Sequence, residues 1–260
     1  MEQYNLFLRN LFQSLCHKNR RQEKEDLCIH QVYYHPSQAI HLPRKFIPYF
    51  NPPSGLTRTL HENAVFFKEY FSNAILEDGY FGYLSWKFEK KTFISSEQFL
   101  AFIKGNPGYD VYFINPFPEM GELFRNVWQQ GDYYHPGMSE LAQFLLRRSG
   151  YDYDIHSMIN DEATLLYANY WVGNKKFWDL YIPFLKSIYD QFNSLPPKRQ
   201  RAFLRNSGYH TGAGYLTFIF ERMFSTYLYF NQSQIRAKPF IYTPTQKALV
   251  VRNLRKIAGQ

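Results

Sequence analysis

Residues 110–118 read DVYFINPFP, and the way this stretch ends decides the fold. Asp110–Ile114 is a short apolar run, rich in aromatic and β-branched side chains, of the kind that fills a buried strand. It stops abruptly at Asn115-Pro116, because neither Pro116 nor Pro118 has an N–H to donate to a ladder. Upstream, Ser95 and Ser96 can cap a helix carrying Phe99, Phe102 and Ile103, which Gly105 and Pro107 terminate. Downstream, Met120, Leu123, Phe124, Val127 and Trp128 recur at helical spacing as far as Gly131. A strand flanked by two helices is the unit from which the rest can be read outward.

Towards the N-terminus, Tyr80–Trp86 (YFGYLSW) is a second strand, preceded by a helix marked by Val65, Phe67, Tyr70, Phe71, Ala74 and Ile75. Before that come a Pro-rich loop from Pro36 to Pro53 and the first strand, Leu27–Tyr34 (LCIHQVYY). Towards the C-terminus, Ser139–Ser149 is a helix with Gly150 as its cap. Leu165–Val172 (LLYANYWV) is a fourth strand, leading directly into a helix from Lys175 that Pro183 is expected to kink. A polar loop over 193–211, an aromatic helix around Tyr215–Phe230, a short strand at Pro239–Tyr242 and a basic terminal helix follow. The alternation predicts an α/β fold, a mostly parallel sheet with helices on both faces. Residues 1–26 are expected to be an amphipathic helix and a charged linker, 27–243 the main domain, and 244–260 a basic C-terminal helix. Ligands in such sheets bind beyond the carboxyl ends of the strands, which directs attention to the residues after Tyr34, Trp86, Ile114 and Val172.

The chain has 260 residues, long enough to bury a substantial core, and 45% are hydrophobic, which excludes disorder. Its 25 Phe and 22 Tyr mostly fill that core, although aromatic rings also make flat platforms for sugars. The 30 Lys and Arg against 22 Asp and Glu leave a net charge of +8, favouring phosphate-bearing partners. The basic excess gathers at Lys18–Lys24 and Lys247–Lys256, to be read either as solvated tails or as a peripheral contact with anionic membrane. Glu2 and Arg9 interrupt the first segment, no apolar stretch approaches the roughly 20 residues of a membrane span, and the two cysteines are Cys16 and Cys28. A cytoplasmic protein is expected.

The phosphate loop, GxGxxG, HExxH, GxSxG and paired CxxC patterns are absent. One Asp-x-Asp occurs, Asp152-Tyr153-Asp154, but it follows a helix and its glycine rather than a strand, so a solvated turn is the favoured reading over a metal site. Asn115 closes a strand, as a rigid terminator or as an amide offered to a ligand. His135 precedes Pro136 and must be extended; it is a surface histidine or a base. Gln130 shares that polar segment, QQGDYYHPG. Lys87, after Ser85, either snorkels or neutralises a phosphate. Asn169 sits among aromatics and needs partners. Glu221-Arg222 interrupts the apolar FIFERMFSTYLYF, as a structural ion pair or as part of a catalytic site. Asp161 is an exposed acid or a base.

IHQVYYHP, GYLSWKFEKKT, YDVYFINPFPE, NVWQQGDYYHPG and YANYWVGNKKFWDLY, in that order, together resemble a domain of bacterial capsule and O-antigen gene products. FIFERMFSTYL is similar to a segment near the end of GT-A-type capsular glycosyltransferases. The resemblance spans roughly residues 27–230 and implies a GT-A-like, Rossmann-like fold that binds a nucleotide-sugar donor and serves a glycan or lipid-linked acceptor. Many relatives carry Asp-x-Asp where this chain has Asn115-Pro116, so no metal cofactor is expected, manganese being the one to test. The expected function is a glycosyltransferase of surface-polysaccharide biosynthesis, with His135, Asp161 and Glu221 as candidate bases. Tyr34, Ser85, Lys87, Asn115, Gln130, Asn169 and Arg222 are expected to bind substrate. A non-catalytic glycan-binding or scaffolding module is the alternative, and nucleic acid is not an expected partner.

Overall fold

The computed structural model describes residues 27–206 and 213–257; the expected N-terminal helix and charged run, with Cys16 and Lys18–Lys24, lie outside them. Six strands form one sheet: β1 (Leu27–Tyr33), β2 (Ile47–Phe50), β3 (Tyr80–Ser85), β4 (Val111–Phe113), β5 (Trp171–Asn174) and β6 (Ala237–Pro239). Their spatial order is β2-β1-β3-β5-β4-β6. β1 pairs in parallel with β2 and β3, and β4 with β6, while β5 runs antiparallel between β3 and β4. The α/β class and the mostly parallel sheet are as expected.

The helices are α1 (Leu56–Leu60), α2 (Glu62–Phe71), α3 (Phe88–Thr92), α4 (Ser96–Gly105), α5 (Met120–Leu123), α6 (Val127–Tyr134), α7 (Met138–Arg148), α8 (Lys175–Asn193), α9 (Pro197–Leu204), α10 (Tyr215–Phe230) and α11 (Pro244–Ile257). Alternation along β4 shows how two layers are served: Tyr112 meets Phe102 of α4 with ring centroids 6.0 Å apart, while Phe113 meets Phe224 of α10 at 5.2 Å. Trp171, at the start of β5, packs against Phe66, Trp178 and Tyr181, so the aromatic surplus is chiefly core. Ser95 and Gln98 close the capping box that starts α4. Asn174 caps α8, accepting from Phe177 N–H at 3.0 Å, and Pro183 lies inside that helix.

Several boundaries differ from expectation. Strand pairing begins only at Trp171; Leu165–Tyr170 is buried but irregular, and Leu166 bonds Ser225 of α10 through both its N–H and its carbonyl. An apolar run signals burial, not the identity of its backbone partner. The helix expected over Met120–Gly131 is two helices, because Asn126 turns extended and caps α6 through Trp128 and Gln129 N–H. Part of the expected loop 193–211 is α9, whose prolines suit a first turn; residues 207–211 are outside the described set. β2 lies in the expected Pro-rich loop, on an edge where Pro48 is tolerated. The last strand falls at Ala237–Pro239 rather than Pro239–Tyr242. α11 is docked by the fully buried Val250 and by Lys247 reaching Glu122 at 2.5 Å. Among the described residues no helix is long and apolar enough to cross a membrane.

Candidate functional site

The chain leaves β1 for β2 on one flank, and β3 then lies on the other flank of β1. That divergence makes the carboxyl ends of β1 and β3 the topological switch point of the sheet, where ligands of open α/β sheets bind in a crevice. Val32 pairs with Ser85 at the last rung, and Trp86 N–H donates to the Val32 carbonyl at 2.8 Å. Tyr34 therefore follows one strand, and Trp86 and Lys87 follow the other, at the same level of the rim. Because β5 runs the opposite way, it is its leading residues, Asn169 and Tyr170, that reach this edge. Ile114 N–H donates to the Tyr170 carbonyl at 3.0 Å, tying them to the end of β4.

Two helices complete the rim. His61, ahead of α2, has φ 49° and ψ −120°, a conformation an L-residue holds only when its surroundings enforce it. Its ring meets Tyr34 edge-on at 5.8 Å. The next residue, Glu62, is buried, and Glu221 projects from α10. Thr217 of α10 donates to the Thr59 carbonyl at 2.6 Å, holding α1 and the start of α2 against α10.

The electrostatics connect these groups. Burial raises the Glu221 carboxyl to about 7; Lys91 and Arg222 oppose the rise, and Glu62 adds to it. The Tyr34 hydroxyl is pushed well up by burial, then by Glu62, with contributions from Glu221 and Tyr170. Burial likewise raises Tyr170, with Ser85 opposing and Glu62 and Glu221 reinforcing. Lys87 is lowered by burial and by its neighbours Lys91 and Lys90, while Glu62 opposes. Two carboxylates, two tyrosines and a lysine cluster thus act on one another's proton affinity around this edge, the setting in which perturbed acids and bases do chemistry.

The same edge also holds buried polar atoms that no described residue satisfies with a hydrogen bond of normal geometry. The Tyr34 and Tyr170 hydroxyls are enclosed; Glu62 and Ser85 stand beside them without closing a hydrogen bond of normal geometry. Asn169 is only 3% exposed, yet neither end of its amide has a partner among the described residues. Leaving such a group unpaired costs about 1–3 kcal/mol, which a bound water or ligand can offset.

Tyr34, Ser85, Lys87, Asn169 and Glu221 of the expected residues meet at this rim. Arg222 is buried beside Glu221, but each of its three guanidinium nitrogens is held: it donates to the Val127 and Phe218 carbonyls at 3.0 Å and to the Gln130 side chain. Arg222 and Gln130 therefore pin α10 to α6. His135 ends α6 and is 3% exposed, stacked on Phe218 of α10 at 4.3 Å, inside helix packing rather than projecting from the surface. Asn115 bonds Phe117 through both ends of its amide in a local turn. Asp161 is exposed and accepts from Ala163 N–H and the Thr164 hydroxyl. Asp152 and Asp154 are exposed in the irregular stretch after α7, with Asp154 accepting from His156 N–H at 3.1 Å. Among the described residues no three His, Cys, Asp or Glu side chains converge as a metal site.

Glu62, Lys91 and Tyr170 belong to the rim and were not singled out from sequence. Glu62 reads as an ordinary first-turn acid, and Lys91 as one of a solvated Lys-Lys pair. No protein-family model, no curated protein and no solved structure matches the chain.

Proposed function

We propose that the chain is a glycosyltransferase of bacterial surface-polysaccharide assembly, with a GT-A-like sheet, acting in the cytoplasm. It would move a sugar from a nucleotide-sugar donor to a glycan or lipid-linked acceptor. The observation that carries this reading is the meeting of Glu221 and Glu62 with Lys87 and Lys91 at the crevice between β1 and β3.

Glu221 is the base. With a carboxyl near 7 it can take the acceptor hydroxyl's proton at neutral pH far better than an ordinary glutamate. The acceptor oxygen attacks the anomeric carbon, the carbon–oxygen bond to the diphosphate breaks, and its electron pair leaves on the nucleoside diphosphate. Attack opposite the leaving group inverts the configuration. Lys87 and Lys91 neutralise the charge that develops on the diphosphate, without requiring a metal. The unpaired amide of Asn169 and the hydroxyls of Tyr34 and Tyr170 are suited to sugar hydroxyls. Glu62 keeps the proton affinity of Glu221 high.

Calorimetry of the chain against a panel of nucleoside-diphosphate sugars, followed by a transfer assay with and without chelator, tests the reading. Saturable binding of one donor that weakens in Lys87→Ala is expected. Binding of glycans with indifference to every nucleotide would replace the enzyme by a carbohydrate-binding module.

A further inference from the structure

We propose that the open hollow along α7, with Arg199 of α9 reaching the Phe144 ring at its edge, is a binding site for a phosphate group, answered by Arg147, Arg148 and Arg199. It shares no residue with the crevice described above. Glu140, Gln143, Phe144, Arg147 and Arg148 line a hollow of about 320 Å³. The guanidinium carbons of Arg148 and Arg199, from different helices, each stand 5.8 Å from the centroid of the Phe144 ring, so they are no more than twice that distance apart.

All three arginines are exposed, and none forms an ion pair among the described residues. Glu140, which lines the same hollow, faces His156 at 3.7 Å, a pair that is ionic only when the imidazole is protonated. Gln143 is fixed as well, donating to the Tyr153 carbonyl at 2.8 Å and accepting from Ile155 N–H at 3.0 Å. α9 adds Lys198 and Arg201 and carries no acid.

Guanidiniums gathered without counter-ions repel one another, and the partner that relieves this must answer more than one of them. A carboxylate neutralises a single charge. A phosphate presents several acceptor oxygens and matches the planar donor fork of arginine from two sides. Both guanidiniums pack on the Phe144 ring, and the C-terminal end of α7 favours cations in its last turn. The ligand class is therefore a phosphate ester, supplied either by a soluble metabolite or by the headgroup of an anionic phospholipid.

The test compares the full chain with the double variant Arg148→Gln/Arg199→Gln, whose exposed positions should leave its melting temperature unchanged. One arm titrates glycerol 3-phosphate by calorimetry; the other sediments phosphatidylcholine vesicles with and without phosphatidylglycerol. Binding by the wild type that falls at least about tenfold in the variant is expected in one arm. The soluble arm identifies a metabolite, and the vesicle arm alone identifies a lipid headgroup. Equal binding by both proteins, or none in either arm, would overturn the proposal.

Discussion

Ser85 and Val32 face each other at the last rung of the β1–β3 ladder, and from there Tyr34 and Lys87 leave the sheet side by side. A hydroxyl and an ammonium are thereby set at the same edge, where the charge of Glu221 acts on Tyr34.

Glu221→Gln keeps the shape of the side chain and removes its basicity. Transfer should fall by about 10²–10⁴-fold, the usual contribution of a positioned base, with little change in donor binding. In the wild type the base must be unprotonated, so turnover should rise with pH through about 7 and then level off. A pH–rate profile that is flat from pH 5 to 9 would remove Glu221 from this role.

The same carboxyl links stability to pH. Its folded value, about 7, lies above the ordinary 4.5, so between the two the folded chain holds a proton that the unfolded chain has lost. Stability from this group is therefore greatest at the acid end of that window and declines as pH rises through it. The decline should be on the order of 2 kcal/mol, allowing for a half-buried residue. Melts of the wild type and Glu221→Gln at pH 5 and pH 8 should show the variant gaining relative stability at the higher pH.

Lys91 lowers the proton affinity of Glu221. Lys91→Met should shift the ascending limb of the pH–rate profile to higher pH and raise KM for the donor. A merely structural lysine would change neither.

Gly82 lies in β3 where the sheet is closest: a Cβ there would meet the Val172 Cγ2 at 2.7 Å and the Trp171 carbonyl oxygen at 3.0 Å. Gly82→Ala should cost about 1–3 kcal/mol, as overpacking does, read as a lower denaturant midpoint with an unchanged slope.

The sequence was legible where periodicity and capping chemistry act locally. Ser95, Gly150 and the apolar stripe of α8 announce their helices because the signals lie within a few residues. β5 was harder: Leu165–Val172 is continuously apolar, and only the position of Ser225, some sixty residues away, decides where pairing starts. The direction of β5 had no local signal either. At the rim, Glu221 stood out because a carboxylate in an aromatic helix needs an explanation. Glu62 did not, since a first-turn acid is ordinary until the fold brings it beside Tyr34. His135 illustrates the opposite case, a polar residue in a polar segment that the packing of α6 on α10 draws inside.

Three of the four tryptophans, Trp128, Trp171 and Trp178, are at most 1% exposed in the aromatic core. The fourth, Trp86, sits half-buried at the end of β3, with Lys87 over its ring at 5.3 Å and His41 stacked at 5.8 Å. The protein thus carries its own optical probe. Iodide should quench only the Trp86 fraction of the emission, and an occupant of the crevice would shield that fraction alone, giving a label-free titration in which the buried rings act as an internal reference.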